Sequence, residues 1–413
     1  MSQIEPFRGL RPAPGLAADV AAPPYDVLSS AEARARAAGK PNSFLHISKA
    51  EIDLPVDTNP YSPEVYAKSA ENFHRLIAEG ILIRDRAPCY YAYRLTMGEH
   101  VQTGIVAAAS VADYNSNRIR KHEFTRPDKE DDRVRQIEAL SAQTGPVLLA
   151  YPDSEAADEL IASATGKAPV AEASFDGVGH TIWLIDDATM IAALSAAFDA
   201  MPGLYIADGH HRSAAAARVA AARPGCESAG HFLAVIFPAH QMRIMDYNRV
   251  VRDLNGLAPD AFLARVGEHF AVIPPVDRVH PEKPGVVGMY LAGRWYRLEI
   301  DPALVPTSDP VRRMDVSLLS EQLLEPVLGI SDLRRDKRID FVGGIRGLGE
   351  LERRVDSGEM AVAFALHATQ MSDLMAVADS GEVMPPKSTW FEPKLRDGLL
   401  LHGGVHHDAC QRL

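Results

Sequence analysis

Leu204-Tyr205-Ile206-Ala207-Asp208-Gly209-His210-His211-Arg212-Ser213 leads into an alanine-rich run that ends at Ala222. The four apolar residues read as a short buried strand, and the run from Ser213 reads as a helix with no breaker inside it. The polar residues between them therefore sit on a strand-to-helix turn, where unpaired backbone N–H groups face outward and attract anions. Gly209 lets the backbone approach a ligand closely. Arg212, in the first helical turn, offers a planar fork of donors suited to phosphate or carboxylate. The competing reading has Asp208 capping the helix and both histidines on the surface. An acid, two imidazoles and a guanidinium at one helix mouth favour a functional site.

Strand and helix candidates alternate outward from this turn. Residues 147–151, 180–185 and 232–237 read as strands, and 154–164 and 188–200 as helices. Upstream, residues 7–29 are rich in proline and glycine and read as extended chain. A helix follows Ser29, because Ser29 and Glu32 have capping-box spacing and Gly39 closes it. A second runs over 62–79, closed by Gly80. Residues 89–97 and 101–111 form a hairpin pair around Gly98-Glu99-His100. The polar stretch 114–142 reads as helix broken near Pro127. Downstream, 286–300 is a hairpin around Gly293, 315–328 a helix, 340–342 a strand, 349–357 a helix and 361–366 a strand, with a last helix to about 378. The expected fold class is mixed α/β (α+β), with several mixed sheets and flanking helices. The expected regions are 1–145, an N-terminal α/β region; 146–251, a central α/β region carrying the turn; 252–310, a small α/β insertion; and 311–413, a C-terminal α/β region.

A chain of 413 residues exceeds one ordinary core, which agrees with several regions. Its net charge of -12 argues against a duplex-nucleic-acid partner, which needs a basic face, while a local basic pocket stays possible. Cys89, Cys226 and Cys410 show no C-x-x-C spacing, so neither a disulfide framework nor a zinc ribbon is expected. No apolar run reaches membrane-spanning length and the start lacks a leader pattern. A cytoplasmic protein without a membrane partner is the expectation.

Three further stretches concentrate polar chemistry. Arg118-Ile119-Arg120-Lys121-His122-Glu123 continues to Arg126. If it is helical, Arg118 and His122 share a face, and the stretch forms a phosphate-binding wall with Glu123 as general base; otherwise it is a solvated face of internal ion pairs. In 384–394, Pro385-Pro386 stiffens a loop that carries Lys387, Ser388 and Thr389. It lacks the glycine frame of a P-loop. Asp340 to Gly347 reads as a strand entering a glycine turn that could cradle phosphate. His402, His406, His407 and Cys410 have metal-capable spacing but lie in a glycine-containing tail, where order is not expected.

Four of these motifs, in order, are Ala22-Pro23-Pro24-Tyr25-Asp26-Val27, Lys121-His122-Glu123, Ala207-Asp208-Gly209-His210-His211-Arg212 and the 384–394 loop. Together they resemble the bacterial family known as domain of unknown function number ten-fifteen, over nearly the whole chain. More locally, the Asp208 to Arg212 turn is similar to that of the nucleotide-dependent free serine kinases with a ParB-like fold. The resemblance implies a nucleotide-site core with this turn at the phosphates, and a separate carboxylate that helps activate the serine hydroxyl. Only Asp208, Gly209, His210, His211 and Arg212 carry over; Glu123 and Asp26 are candidates for that carboxylate from their own surroundings.

The expected activity is a small-metabolite kinase moving a phosphoryl group from a nucleotide to a hydroxyl, with free L-serine the first acceptor. Alternatives are a non-catalytic nucleotide-binding module and a metal-dependent hydrolase. The catalytic set is Asp208, His210, His211, Glu123 and Asp26. Gly209, Arg212, Lys121, His122, Arg126, Lys387, Ser388 and Thr389 are expected to bind phosphate or nucleotide. Mg²⁺ is the expected cofactor, with Asp208 as its protein ligand.

Overall fold

The computed structural model describes residues 3–274 and 277–403. Contacts divide the chain into two units, residues 1–242 with 393–413, and residues 243–392. His406, His407 and Cys410 lie outside the described residues.

The first unit is built on a nine-stranded mixed sheet. Crossing it, the strands run Ile119–Arg120, Leu204–Asp208, Val147–Tyr151, His231–Pro238, His100–Ser110, Tyr90–Met97, Val178–Ile185 and Ala171–Phe175. Ile4–Glu5 also pairs with His100–Ser110. Two pairings are parallel: Leu204–Asp208 with Ile119–Arg120, and His231–Pro238 with Val147–Tyr151. The others on this path are antiparallel. Val147–Tyr151 is buried at every position, as expected of an apolar run covered on both faces. Ile105, Leu149, Ile206, Phe232 and Ile236 share the core with Leu194 and Phe198 of the helix Ala188–Asp199.

The alanine-rich helix runs from His210 to Ala222 and buries Ser213, Ala214, Ala215, Ala216 and Val219. Small side chains let it lie close to its neighbours, while Arg218 on the outer face pairs with Glu130 and Asp131. Those acids belong to the helix Pro127–Leu140.

Stretch 114–142 is not one broken helix. Val111–Asn115 is a short helix, Ile119–Arg120 a strand, and the next helix starts at Pro127. Arg118 and His122 therefore do not share a helical face. Two forces decide this: Leu204 and Tyr205 pair with Ile119 and Arg120 in parallel register, and a residue before proline is pushed to extended backbone. Arg126 has φ -109° and ψ 128°. The Ser29–Glu32 capping box is formed at the helix Ser30–Ala37. The proline-rich opening is not extended throughout: it contains two short helical turns, Ala17–Val20 and the 3-10 turn Tyr25–Val27.

The second unit has a six-stranded antiparallel sheet, ordered Phe270–Ile273, Arg294–Ile300, Val286–Leu291, Val362–Leu366, Tyr247–Val251 and Ile339–Gly343. Expected helix 315–328 is shorter: an α-helical segment Asp315–Leu319 passes into a π-helical turn Ser320–Leu324 and ends before Pro326, which lacks the N–H that would continue it. No helix among the described residues is long and apolar enough to cross a membrane. The architecture is mixed α+β with several mixed or antiparallel sheets.

Candidate functional site

Parallel pairing of Leu204–Asp208 with Ile119–Arg120 places the C-terminal ends of both strands side by side. Residues 121–126 leave one strand and the Asp208 turn leaves the other, so two motifs far apart in sequence meet. The register against Val147–Tyr151 shifts between Ile206 and Asp208, an irregularity of the kind that re-aims a side chain.

Gly209 holds φ 97° and ψ 28° at the helix N-cap. A Cβ there would meet the Arg212 guanidinium at 3.2 Å and the Val147 backbone at 3.3 Å, so the turn needs glycine for both conformation and space. Asp208 Oδ1 accepts the Gly209 N–H at 2.8 Å, and its Oδ2 lies 3.5 Å from Arg212 Nη2. Burial raises the Asp208 pKa, but Lys394 and Arg212 outweigh it and hold the carboxyl at about 2. The side chain is nevertheless 41% exposed, so an ionised acid faces outward. Arg212 is 11% exposed, and its Nη1 donates to the Pro146 carbonyl. Gly145 leaves room for it, because a Cβ there would stand 3.3 Å from Arg212 Cδ.

On the other strand end, His122 and His210 are both buried, with rings in an edge-to-face pair at 4.5 Å. The His122 N–H donates to His210 Nε2 at 3.4 Å, and His210 Nδ1 lies 3.8 Å from Glu123 Oε2. Burial pushes the His122 imidazole down to about 4 and that of His210 well below its usual range, so both are neutral at pH 7. Glu123 is 45% exposed at the mouth of this cluster. His211 points elsewhere: its Nε2 accepts the Arg126 N–H at 3.1 Å, which ties the helix to the 121–126 loop, and burial lowers its pKa.

Lys121 and Arg126 turn their charges aside. Lys121 Nζ donates to the Tyr114 carbonyl at 2.6 Å and stands 4.0 Å from the Tyr114 ring centroid. Arg126 grips Asp128 through Nε and Nη2, at 3.2 and 2.9 Å. Asp26 is exposed and lies within electrostatic reach of Arg212. Next to it, Tyr25, Arg133, Thr144, Gly145, Arg212 and Asp397 bound a cavity of about 30 Å³. That volume suits a water molecule and not a nucleotide. Arg133 stacks on the Tyr25 ring at 3.7 Å. Burial, helped by Asp26, pushes the Asp397 carboxyl up to about 7 against the pull of Arg212 and Arg133.

Lys387, Ser388 and Thr389 belong to the second unit. Lys387 has a left-handed backbone and places Nζ 5.9 Å from the Tyr247 ring, while Ser388 Oγ donates to the Pro385 carbonyl at 2.6 Å. In the turn after Ile339–Gly343, packing explains two glycines: a Cβ on Gly343 would strike Trp390 and one on Gly344 would strike Asp246. Sequence reasoning passed over Gly145, Pro146 and Asp397, and gave Lys394 no role of its own. The Gly145-Pro146 dipeptide was the available turn signal; nothing local marks Asp397.

Residues 4–317 match the family described as a protein of unknown function (DUF1015), and the chain belongs to that family. None of the curated proteins matches it. Among solved structures, a free serine kinase variant in complex with AMP aligns at 13% identity and TM-score 0.36, over 69% of this chain and 87% of its own. A conserved hypothetical protein from Pyrococcus furiosus aligns at 15% identity and TM-score 0.36, over 71% and 93%. SbnI from Staphylococcus aureus, truncated at its C-terminus, aligns at 11% identity and TM-score 0.37, over 71% and 85%. At these TM-scores the likenesses decide neither fold nor activity.

Proposed function

We propose that the Asp208–Arg212 turn is the phosphate site of a small-metabolite kinase, which moves a phosphoryl group from a nucleotide to a hydroxyl, with free L-serine the first acceptor to test. One observation carries this reading: a buried guanidinium is locked at a helix N-terminus beside an ionised, outward-facing carboxylate. The N–H groups of the first helical turn and the Arg212 fork would hold donor phosphates, with Lys394 adding positive potential. Lys121 and Arg126, engaged by Tyr114 and Asp128, and the buried His122 make no direct phosphate contact in this reading, whereas His210 and His211 present their backbone N–H groups at the helix start.

Asp208 fits Mg²⁺, since its carboxylate is ionised and exposed, and magnesium takes one or two carboxylates alongside substrate phosphates. Bound there, the ion supplies charge neutralisation for the transferring group. Glu123 or Asp26 accepts the hydroxyl proton as the hydroxyl oxygen bonds to phosphorus. The phosphoanhydride bond of the donor breaks, and the donor leaves one phosphate shorter. Lys387, Ser388 and Thr389 have no part in this scheme.

The test is a Mg²⁺-dependent assay of nucleotide donors against pooled hydroxyl metabolites including L-serine, read by mass spectrometry. A phosphorylated product that disappears in Asp208→Ala is expected. Folded protein that yields no product with any donor overturns the kinase and leaves a nucleotide-binding module.

A further inference from the structure

We infer that His122, Glu123 and His210 form a site for a divalent transition-metal ion of the Zn²⁺ class, distinct from the Mg²⁺ position at Asp208. One ligating atom from each residue lies within 4.8 Å of those of the other two. Topology makes the site: His122 and Glu123 follow the end of Ile119–Arg120, and His210 follows the end of its parallel neighbour, Leu204–Asp208.

A second observation is independent of that proximity. His122 is 2% exposed, and its Nδ1 is buried with no hydrogen-bond partner. The ring packs edge to face on that of His210, and the Ile206 backbone favours its N–H form. A buried imidazole whose second nitrogen has no partner offers a lone pair of the kind proteins present to a metal.

His210 supplies the second nitrogen. Its Nδ1 is 3.8 Å from Glu123 Oε2, too long for a hydrogen bond. Two ligands of a tetrahedral zinc stand about 3.3 Å apart when each bond is about 2.0–2.1 Å. A contraction of about half an ångström, within reach of the half-exposed Glu123, closes that gap. Coordination through Nδ1 moves the ring proton to Nε2 and gives up the contact with the His122 N–H, which at 3.4 Å is weak.

Two imidazoles and one carboxylate select a borderline transition ion over Mg²⁺, which prefers oxygen. Three protein ligands leave a fourth position open, and the exposure of Glu123 puts it toward solvent. The inference does not depend on the kinase reading. If both hold, Glu123 is a metal ligand and Asp26 takes the hydroxyl proton.

The test uses the full chain, stripped with chelator and titrated with Co²⁺ while its visible ligand-field bands are recorded. One Co²⁺ per chain is expected, displaced by one equivalent of Zn²⁺ and unmoved by a large excess of Mg²⁺. Glu123→Gln, at an exposed position and checked for folding by circular dichroism, should weaken Co²⁺ binding tenfold or more. His210→Asn should abolish it. Absence of saturable binding, unchanged affinity in Glu123→Gln, or displacement by Mg²⁺ overturns the site. A protein without kinase activity would leave this titration untouched, so the two readings fail separately.

Discussion

Gly209→Ala probes the turn at the point where conformation and packing coincide. At φ 97° an L-residue sits in the left-handed region, which costs about 1–2 kcal/mol for alanine. The added Cβ also falls 3.2 Å from Arg212 Cζ and 3.3 Å from Val147 Cα. The guanidinium can yield, whereas the Val147 backbone lies in a central strand and cannot, so overpacking adds about 1–3 kcal/mol. The sum is about 2–5 kcal/mol of lost stability in the first unit. Of the three tryptophans, Trp183 alone lies in that unit, so replacing Trp295 and Trp390 with Phe makes fluorescence report on it. Urea unfolding of that background with and without Gly209→Ala measures the difference. A loss below about 0.5 kcal/mol, the scale of an ordinary surface substitution, would refute both the left-handed turn and its close approach to the Val147 backbone.

Two other perturbations test the surroundings. Asp397 is raised from 3.8 to about 7, so the folded chain keeps a proton that the unfolded chain releases between those values. The associated stability is complete below about pH 4 and lost as pH rises through about 7, a swing on the order of 4 kcal/mol. Asp397→Asn, always neutral, should flatten that decline, and equal pH slopes for the two proteins in urea unfolding would contradict it. Ser29→Ala removes a cap whose hydroxyl accepts the Glu32 N–H at 3.2 Å; about 1 kcal/mol should be lost, measured by chemical denaturation.

Local rules made some elements legible before any tertiary contact was known. The Ser29 cap, the glycine at position 209 and the hairpin Tyr90–Met97 to His100–Ser110 each follow from residues that are neighbours in sequence. The stretch from Arg118 to Arg126 misled for the opposite reason. Its charges suit a helix face, but its first residues pair with Leu204 and Tyr205, more than eighty positions away, and Pro127 forbids helix just before it. His210 and His211 look equivalent in sequence. On a helix they diverge by about 100°, and one enters the buried cluster while the other grips the Arg126 N–H.

The strand-turn-helix at Asp208–Arg212 follows from local order alone, because an apolar run, a glycine and an alanine-rich run leave that segment few alternatives. The sequence also marked the acid, the imidazoles and the guanidinium as chemically capable. Tertiary structure alone decided which of them meet. Parallel pairing of Ile119–Arg120 with Leu204–Asp208 brought His122 and Glu123 to His210, while a separate bridge between Ala22 and Asp397 ties in the segment that sets Lys394 and Asp397 within reach of Asp208 and Arg212. The difference is one of range: propensity and capping act over a few residues, whereas strand pairing and burial join segments whose separation no local pattern records.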